Sequence, residues 1–436
     1  MAAVLGMKVA LPVKAVRPAR SDLQRCTKAS IGLARGLGTS ARQHVVAGAA
    51  AAIEPAVAPA GQVPFLSEEE RQKYAESIGF TKVGKHLPDE VTLQDVIKTL
   101  PSEVFEINPL RAWSAVAISI FSFALSEYLI SISPWYLLPF AWALAGTAFT
   151  GWFVVGHDCG HRSFSKNKLV EDIVGTIAFM PLIYPFEPWR IKHNVHHAYT
   201  NKLVDDTAWH PMTKENLEKM DSVTAGFFKF FLGSPFKLWA SIGHWWIWHF
   251  DLSKYSEAQK PRVKVSLAAV YAFMLVGWPL LIYYTGLGGF AKYWLMPWLG
   301  YHFWMSTFTL VHHTSPHIPF KGGKEWNPAQ AQLAGTIHCD YPRWVEFLCH
   351  DISVHVPHHV NAKIPWYNLR KAHESLKQNW GEYMNETTFN WRMIKQVITQ
   401  CHVYDEENCY VPFDYQKEEP FLAMQRKLLP ETFKAN

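Results

Sequence analysis

Two pairs of long apolar runs constrain this 436-residue chain more than anything else in it. Residues 113–133 and 135–156 form the first pair, with Glu127 as their only charged residue and Pro134 in the gap. Residues 263–284 and 290–311 form the second, joined by a link containing Gly286, Gly288 and Gly289. Each run is long enough for a helix to cross a hydrocarbon layer about 30 Å thick. Such a run in lipid folds as a helix, because every backbone polar group must find its partner within the segment. Lys264 and Lys292 fall near run ends, where lysine snorkels to the interface. Trp113, Trp135, Trp278, Trp294 and Trp298 suit either interfacial belts or ordinary packing. Two weaker apolar stretches, 173–186 and 227–250, are interrupted by Pro, Lys or His and read as interfacial or re-entrant helices. The expectation is an all-α integral membrane protein. It has four transmembrane helices in two hairpins, interfacial helices, and a helical extramembrane cap. Buried helices of a soluble protein are the alternative, which two closely paired runs oppose.

Charge gives a second division. The formal net charge of +5 is misleading, because residues 1–53 hold eight basic residues against one acid, Asp22. The remainder carries 34 Lys and Arg against 36 Asp and Glu, so a nucleic-acid-binding reading loses its support. The leader is rich in Ala, Ser and Arg and lacks the compact apolar core of a secretory signal. That composition fits an organelle transit peptide; a basic disordered tail is the alternative. The six cysteines form no CxxC pair, so neither a disulfide framework nor a zinc ribbon is indicated.

The chain then reads as a leader at 1–53, an amphipathic helical segment at 54–110, and a first transmembrane hairpin at 111–161. A loop at 162–262, a second hairpin at 263–313 and a C-terminal cap at 314–436 follow. Within 54–110, Ser67 with Glu70 and Thr92 with Asp95 have the spacing of helix capping boxes.

Eight histidines fall into three clusters: His157-Asp-Cys-Gly-His161, His193-Asn-Val-His196-His197 and His355-Val-Pro-His358-His359. Spacings of three and four put side chains on one helix face. Together they supply more nitrogens than one zinc uses, so two metal ions fit better. Topology is consistent with a shared site. Each hairpin returns the chain to its starting side, so all three clusters reach the same membrane face. Pro357 disfavours helix at Val356, which suggests a helix starting at Pro357 with His355 before it.

Neutral imidazole suits iron, copper, zinc and nickel. The chain has no GxSxG and no HExxH, and two redox irons at a membrane surface suggest oxygen activation beside a lipid chain. An unactivated methylene has no acidic proton and no electrophilic carbon, so the metal must supply the reactivity while the protein positions the chain. Neither a convincing GxGxxG nor an HPGG heme segment is present, so electrons must come from a separate donor.

At these residues the chain resembles the membrane-bound fatty acid desaturases, whose pattern is HxxxH, HxxHH, HxxHH, over about residues 105–400. Several further stretches are similar to the plastid and cyanobacterial acyl-lipid omega-6 (delta-12) desaturases. These are Gly156-His-Asp-Cys-Gly-His-Arg-Ser-Phe, His197-Ala-Tyr-Thr-Asn with Asp205-Asp206-Thr-Ala-Trp-His210-Pro, Val311-His-His-Thr-Ser-Pro-His317-Ile-Pro-Phe, and Ile364-Pro-Trp-Tyr-Asn-Leu-Arg370. The resemblance implies a non-heme di-iron centre that converts oleoyl to linoleoyl chains in glycerolipids. The other reactants would be O2 and electrons from ferredoxin. It also implies a plastid location, multi-pass and in the inner envelope. His313 matches a ninth ligand at the end of the fourth run, beside a supporting His312. His317 is a further possible contributor, and Asp158, Asp205 and Asp206 are either partners of imidazole N–H groups or solvated loop acids.

Three kinds of alternative remain. A di-iron fatty acid hydroxylase, acetylenase or carotenoid oxygenase shares most of these motifs. A bis-histidine heme electron carrier is the alternative from another class, but it wants single histidines facing each other inside the bilayer. A zinc transporter would want polar residues within the runs.

Overall fold

The computed structural model describes residues 67–208, 211–318, 320–405 and 409–413. The leader at 1–53 lies outside the described residues, as do the following residues to 66 and those from 414 onward.

In chain order the elements begin with α1 (Glu68–Ile78), β1 (Phe80–Lys82) and α2 (Leu93–Lys98). The two long helices α3 (Pro109–Ile132) and α4 (Leu138–His161) follow, then α5 (Lys168–Phe179) and α6 (Phe186–Ala198). Short elements come next: β2 (Met212–Thr213), α7 (Lys214–Glu218), α8 (Ser222–Leu232) and α9 (Ala240–His249). Then come α10 (Lys260–Phe290) and α11 (Met296–His313). The cap holds β3 (Ile337–Asp340), α12 (Arg343–Leu348), α13 (His355–Val360), α14 (Leu369–Trp380), β4 (Asn385–Thr388), α15 (Trp391–Thr399), β5 (Val403–Asp405) and β6 (Cys409–Val411).

Three stretches are long and apolar enough to cross a membrane: Pro109–Ile132, Leu138–His161 and Lys260–His313. The third is one helical run of 54 residues by hydrogen bonding, but it breaks at Gly286, whose φ of 71° and ψ of 178° are not helical. Glycine takes that conformation without a Cβ penalty. The Trp278 ring lies 5.5 Å from Phe290 and 4.9 Å from Trp294, so the two arms fold back on each other. The chain thus reverses direction at the glycine link. Large apolar side chains on α3 and α10, such as Phe121, Leu275 and Tyr283, are exposed outward.

Helix α4 is the axis of the core. A Cβ added to Gly146 would lie 2.6 Å from the Gly300 backbone, so α4 and α11 cross at glycine on both sides. One turn away, Trp304 Nε1 donates to Thr147 Oγ1 at 2.9 Å. This crossing brings the ends of α4 and α11, and their histidines, side by side. The weaker apolar stretch at 173–186 spans a sharp bend: Lys168–Leu182 and Phe186–Ala198 meet at 101°. That bend turns α6 back so that its histidines face the end of α4.

Both capping boxes form, at Ser67–Glu70 and Thr92–Asp95. The all-helical expectation needs correction. β4 pairs antiparallel with β1 and parallel with β3, and β5 pairs parallel with β2 and antiparallel with β6. Each strand has two to four residues, too few for an alternating pattern to stand out.

Candidate metal centre

Four helices carry the clustered histidines: α4 holds His157 and His161, α6 holds His193, His196 and His197, α11 ends on His312 and His313, and α13 holds His355, His358 and His359. Helix α13 begins at His355, not at Pro357, because the first turn has no intrahelical use for the proline's missing N–H. His355 therefore shares a face with His358 and His359.

The rings sort into two adjoining cages. Ligand-capable nitrogens of His157, His161, His193, His197 and His358 lie within 4.8 Å of one another, and so do those of His196, His313 and His359. His355 joins the second group: its Nε2 is 3.1 Å from Nε2 of His313 and 3.0 Å from Nε2 of His359. In the first cage, His197 Nε2 is 3.2 Å from His193 Nε2 and 3.0 Å from His358 Nε2. The adjacent histidines now have a physical explanation. Neighbouring residues on a helix point about 100° apart, so His196 and His197 serve different cages, and His358 and His359 do likewise.

The hydrogen bonds at the other ring nitrogens test whether a cation belongs there. His196 Nδ1 donates to Asp206 Oδ1 at 2.8 Å, His355 Nδ1 to the Ile352 carbonyl at 3.2 Å, and His359 Nδ1 to Gln332 Oε1 at 2.9 Å. Gln332 is oriented by its own amide, which donates to the His197 carbonyl. Acceptor partners place the proton on Nδ1 in each ring, so three Nε2 lone pairs face inward together. His196 Nε2 also meets His313 Nε2 at 3.3 Å. Three converging lone pairs repel unless a cation lies between them. Two ligands about 2.1 Å from one metal at right angles sit about 3 Å apart, as these nitrogens do. In the first cage, buried His161 Nε2 has no hydrogen-bond partner. Burial, and after it the neighbouring imidazoles, hold His355, His358 and His359 well below the usual histidine range. They stay in the neutral form that donates to a metal.

The flanking residues divide. Asp206 is buried, accepting from His196 and from the backbone N–H groups of Asn201 and Ala208, both at 2.9 Å. Asp158 reaches His157 Nδ1 at 3.4 Å and accepts the Trp366 N–H at 3.2 Å. Asp205 is turned away: it pairs with Lys202 at 2.9 Å and its side chain is half-exposed. His312 packs its ring on His355 at 4.6 Å, with Nδ1 donating to the Ile337 carbonyl at 2.8 Å. His317 has no nitrogen left for a metal. Its Nδ1 pairs with Ser315 at 2.8 Å and its Nε2 with Asn385 at 3.0 Å, between the rings of Tyr74 and Phe80. Sequence reasoning gave no role to Gln332, Trp189 or Thr200, although Thr200 lies in the stretch His197-Ala-Tyr-Thr-Asn. Thr200 Oγ1 lies 3.2 Å from His359 Nδ1, and Trp189 stacks on His193 at 4.6 Å. Gln332 and Trp189 belong to no motif quoted above.

Apolar helices leading to two joined imidazole cages fit a membrane-associated protein with a metal site. Residues 133–391 match the family model for fatty acid desaturases, and the chain belongs to that family of oxidoreductases. It is 58% identical over 366 residues to "Omega-6 fatty acid desaturase, chloroplastic" of Glycine max, covering 84% of this chain and 86% of the relative. The Arabidopsis thaliana protein of the same name is 58% identical, over 83% of this chain and 80% of the relative. "sn-1 oleoyl-lipid 12-desaturase" of Synechocystis is 52% identical, over 76% of this chain and 93% of the relative.

Proposed function

We propose that this enzyme is an acyl-lipid omega-6 (delta-12) desaturase. It places a cis double bond in oleoyl chains of plastid membrane glycerolipids and so makes linoleoyl chains. The observation that carries the reading is the pair of cages, one gathering five histidine nitrogens and the other three with His355 beside them. The names of the relatives support the substrate and the plastid location.

Two irons would be held by His157, His161, His193, His197 and His358 in one cage and by His196, His313, His355 and His359 in the other. When bound, such irons supply the oxygen chemistry that unactivated methylenes require. The protein's own part is orientation. Asp206, Gln332 and the Ile352 carbonyl hold the rings of the second cage in one tautomer, and Trp189 backs His193. Removing two hydrogens from the chain while dioxygen becomes two waters needs two electrons and two protons from outside. Ferredoxin is the donor that suits a plastid enzyme with no nucleotide or heme segment of its own. In this reading α3, α4 and the two arms about Gly286 are four membrane spans in the inner envelope, and residues 1 to about 53 are removed on import.

The test is expression in a host lacking polyunsaturated lipids, followed by mass spectrometry of intact glycerolipids. A new double bond at the twelfth carbon of esterified 18-carbon chains is expected. An added hydroxyl, or no change while iron is bound, would refute it.

A further inference from the structure

Helix α12 and the turn after it belong by sequence to the cap, yet they pack against the sides of α3 and α4. The Leu348 carbonyl lies 2.3 Å from where a Cβ on Gly151 of α4 would stand. His350 Nε2 lies 2.8 Å from Ser119 Oγ on α3. The apolar run of α4 ends at Gly156 and that of α3 begins at Trp113. At 1.5 Å per residue, Gly151 is about 7 to 8 Å and Ser119 about 9 Å inside those boundaries. Two helices running in opposite directions give the same depth for residues 348–350.

The side chains of α12 agree with that depth. Trp344 and Phe347, three residues apart on one face, are 49% and 60% exposed. Val345 and Glu346, on the opposite side, are buried. Glu346 pairs with Arg370 at 2.9 Å, and Arg370 also holds Asp351. The charges of this segment are thus tied toward α14, and exposed Arg343 has a stem long enough to snorkel. Ile120 and Phe121, which follow Ser119 on α3, are also large, apolar and exposed.

We propose that α12 is inserted into the bilayer beside α3, with Trp344 and Phe347 among the acyl chains on the histidine side of the membrane. An interfacial helix buries its apolar face about 5–10 Å into the headgroup and acyl boundary, which matches the depth above. The segment that leads into His355, His358 and His359 is then anchored by lipid as well as by α3 and α4. This inference rests on the reading of α3 and α4 as membrane spans.

Nitroxide labels at Phe347→Cys and, separately, Trp344→Cys test it, in full-length protein in phosphatidylcholine vesicles. Phe121→Cys serves as the lipid reference, Lys371→Cys as the aqueous reference, and labelled wild type as background. Relaxation by molecular oxygen is expected to exceed that by a water-soluble nickel complex at positions 347 and 344, as at 121, with the reverse at 371. Aqueous behaviour at 347 and 344 with lipid behaviour at 121 overturns the proposal alone. Aqueous behaviour at 121 as well overturns the spanning reading and the proposal with it.

Discussion

His196 and His313 stand 117 residues apart in the chain, yet their Nε2 atoms lie 3.3 Å apart. His196 is the middle histidine of its cluster, whereas His313 ends α11. The α4–α11 crossing at Gly146 and Gly300, with the bend before α6, brings them together. His312, one residue earlier, turns about 100° away and uses its Nδ1 on the Ile337 carbonyl. His313→Ala should therefore lose iron and activity together. His312→Gln should keep measurable turnover and most of its iron, because it disturbs packing on His355 and not a lone pair in the cage. Metal analysis beside turnover decides it, and the opposite pattern reverses the two roles.

Adjacent aspartates give a sharper comparison. Asp206 accepts from His196 and two backbone N–H groups inside the protein, whereas Asp205 pairs with Lys202 at the surface. Asp206→Asn should lower iron affinity or activity by about 10–100-fold, the usual cost of losing a carboxylate behind a metal-bound imidazole. Asp205→Asn should stay near wild type, since an exposed pair contributes about 0–1 kcal/mol. Equal losses in the two variants, measured by iron titration, would contradict this division.

What the sequence made legible follows from which signals are local. Apolar runs and three-or-four-residue histidine spacings are written in consecutive residues, so the long helices and the clusters could be read directly. The choice between Asp205 and Asp206 depends on how the turn after α6 folds, and Val204 there takes a φ of 75°. The strand pairs of β4 with β1 and β3 join residues far apart in sequence. Pro357 disfavours helix at Val356, but a first helical turn tolerates a proline, and α13 therefore starts at His355.

The α4–α11 contact makes a prediction about stability. A Cβ at Gly146 meets backbone, which no side-chain rotation relieves. Gly146→Val should destabilise the folded protein by about 1–3 kcal/mol or more, the cost of overpacking a close contact. Thermal unfolding in detergent should show a lowered midpoint, and iron content should fall with it. Gly226→Val, where a Cβ meets nothing within 4 Å, is the control and should leave both unchanged.

Gln332 supplies the last prediction, and no motif pointed to it. It touches both cages: its Oε1 accepts from His359 Nδ1 in the second, and its amide N–H donates to the backbone carbonyl of His197, whose ring faces the first. Gln332→Leu removes both bonds: the buried His197 carbonyl loses this donor, at a cost of about 1–3 kcal/mol, and His359 Nδ1 keeps only Thr200 Oγ1, 3.2 Å away. Gln332→Glu keeps the acceptor for His359, with added charge, and loses only the donor to His197. If orientation of His359 is the important function, the glutamate variant should retain more iron than the leucine variant. Loss in the leucine variant should be about 10–100-fold. Equal iron loss in both would assign the effect to the His197 carbonyl, and full iron in both would remove Gln332 from the metal centre's support.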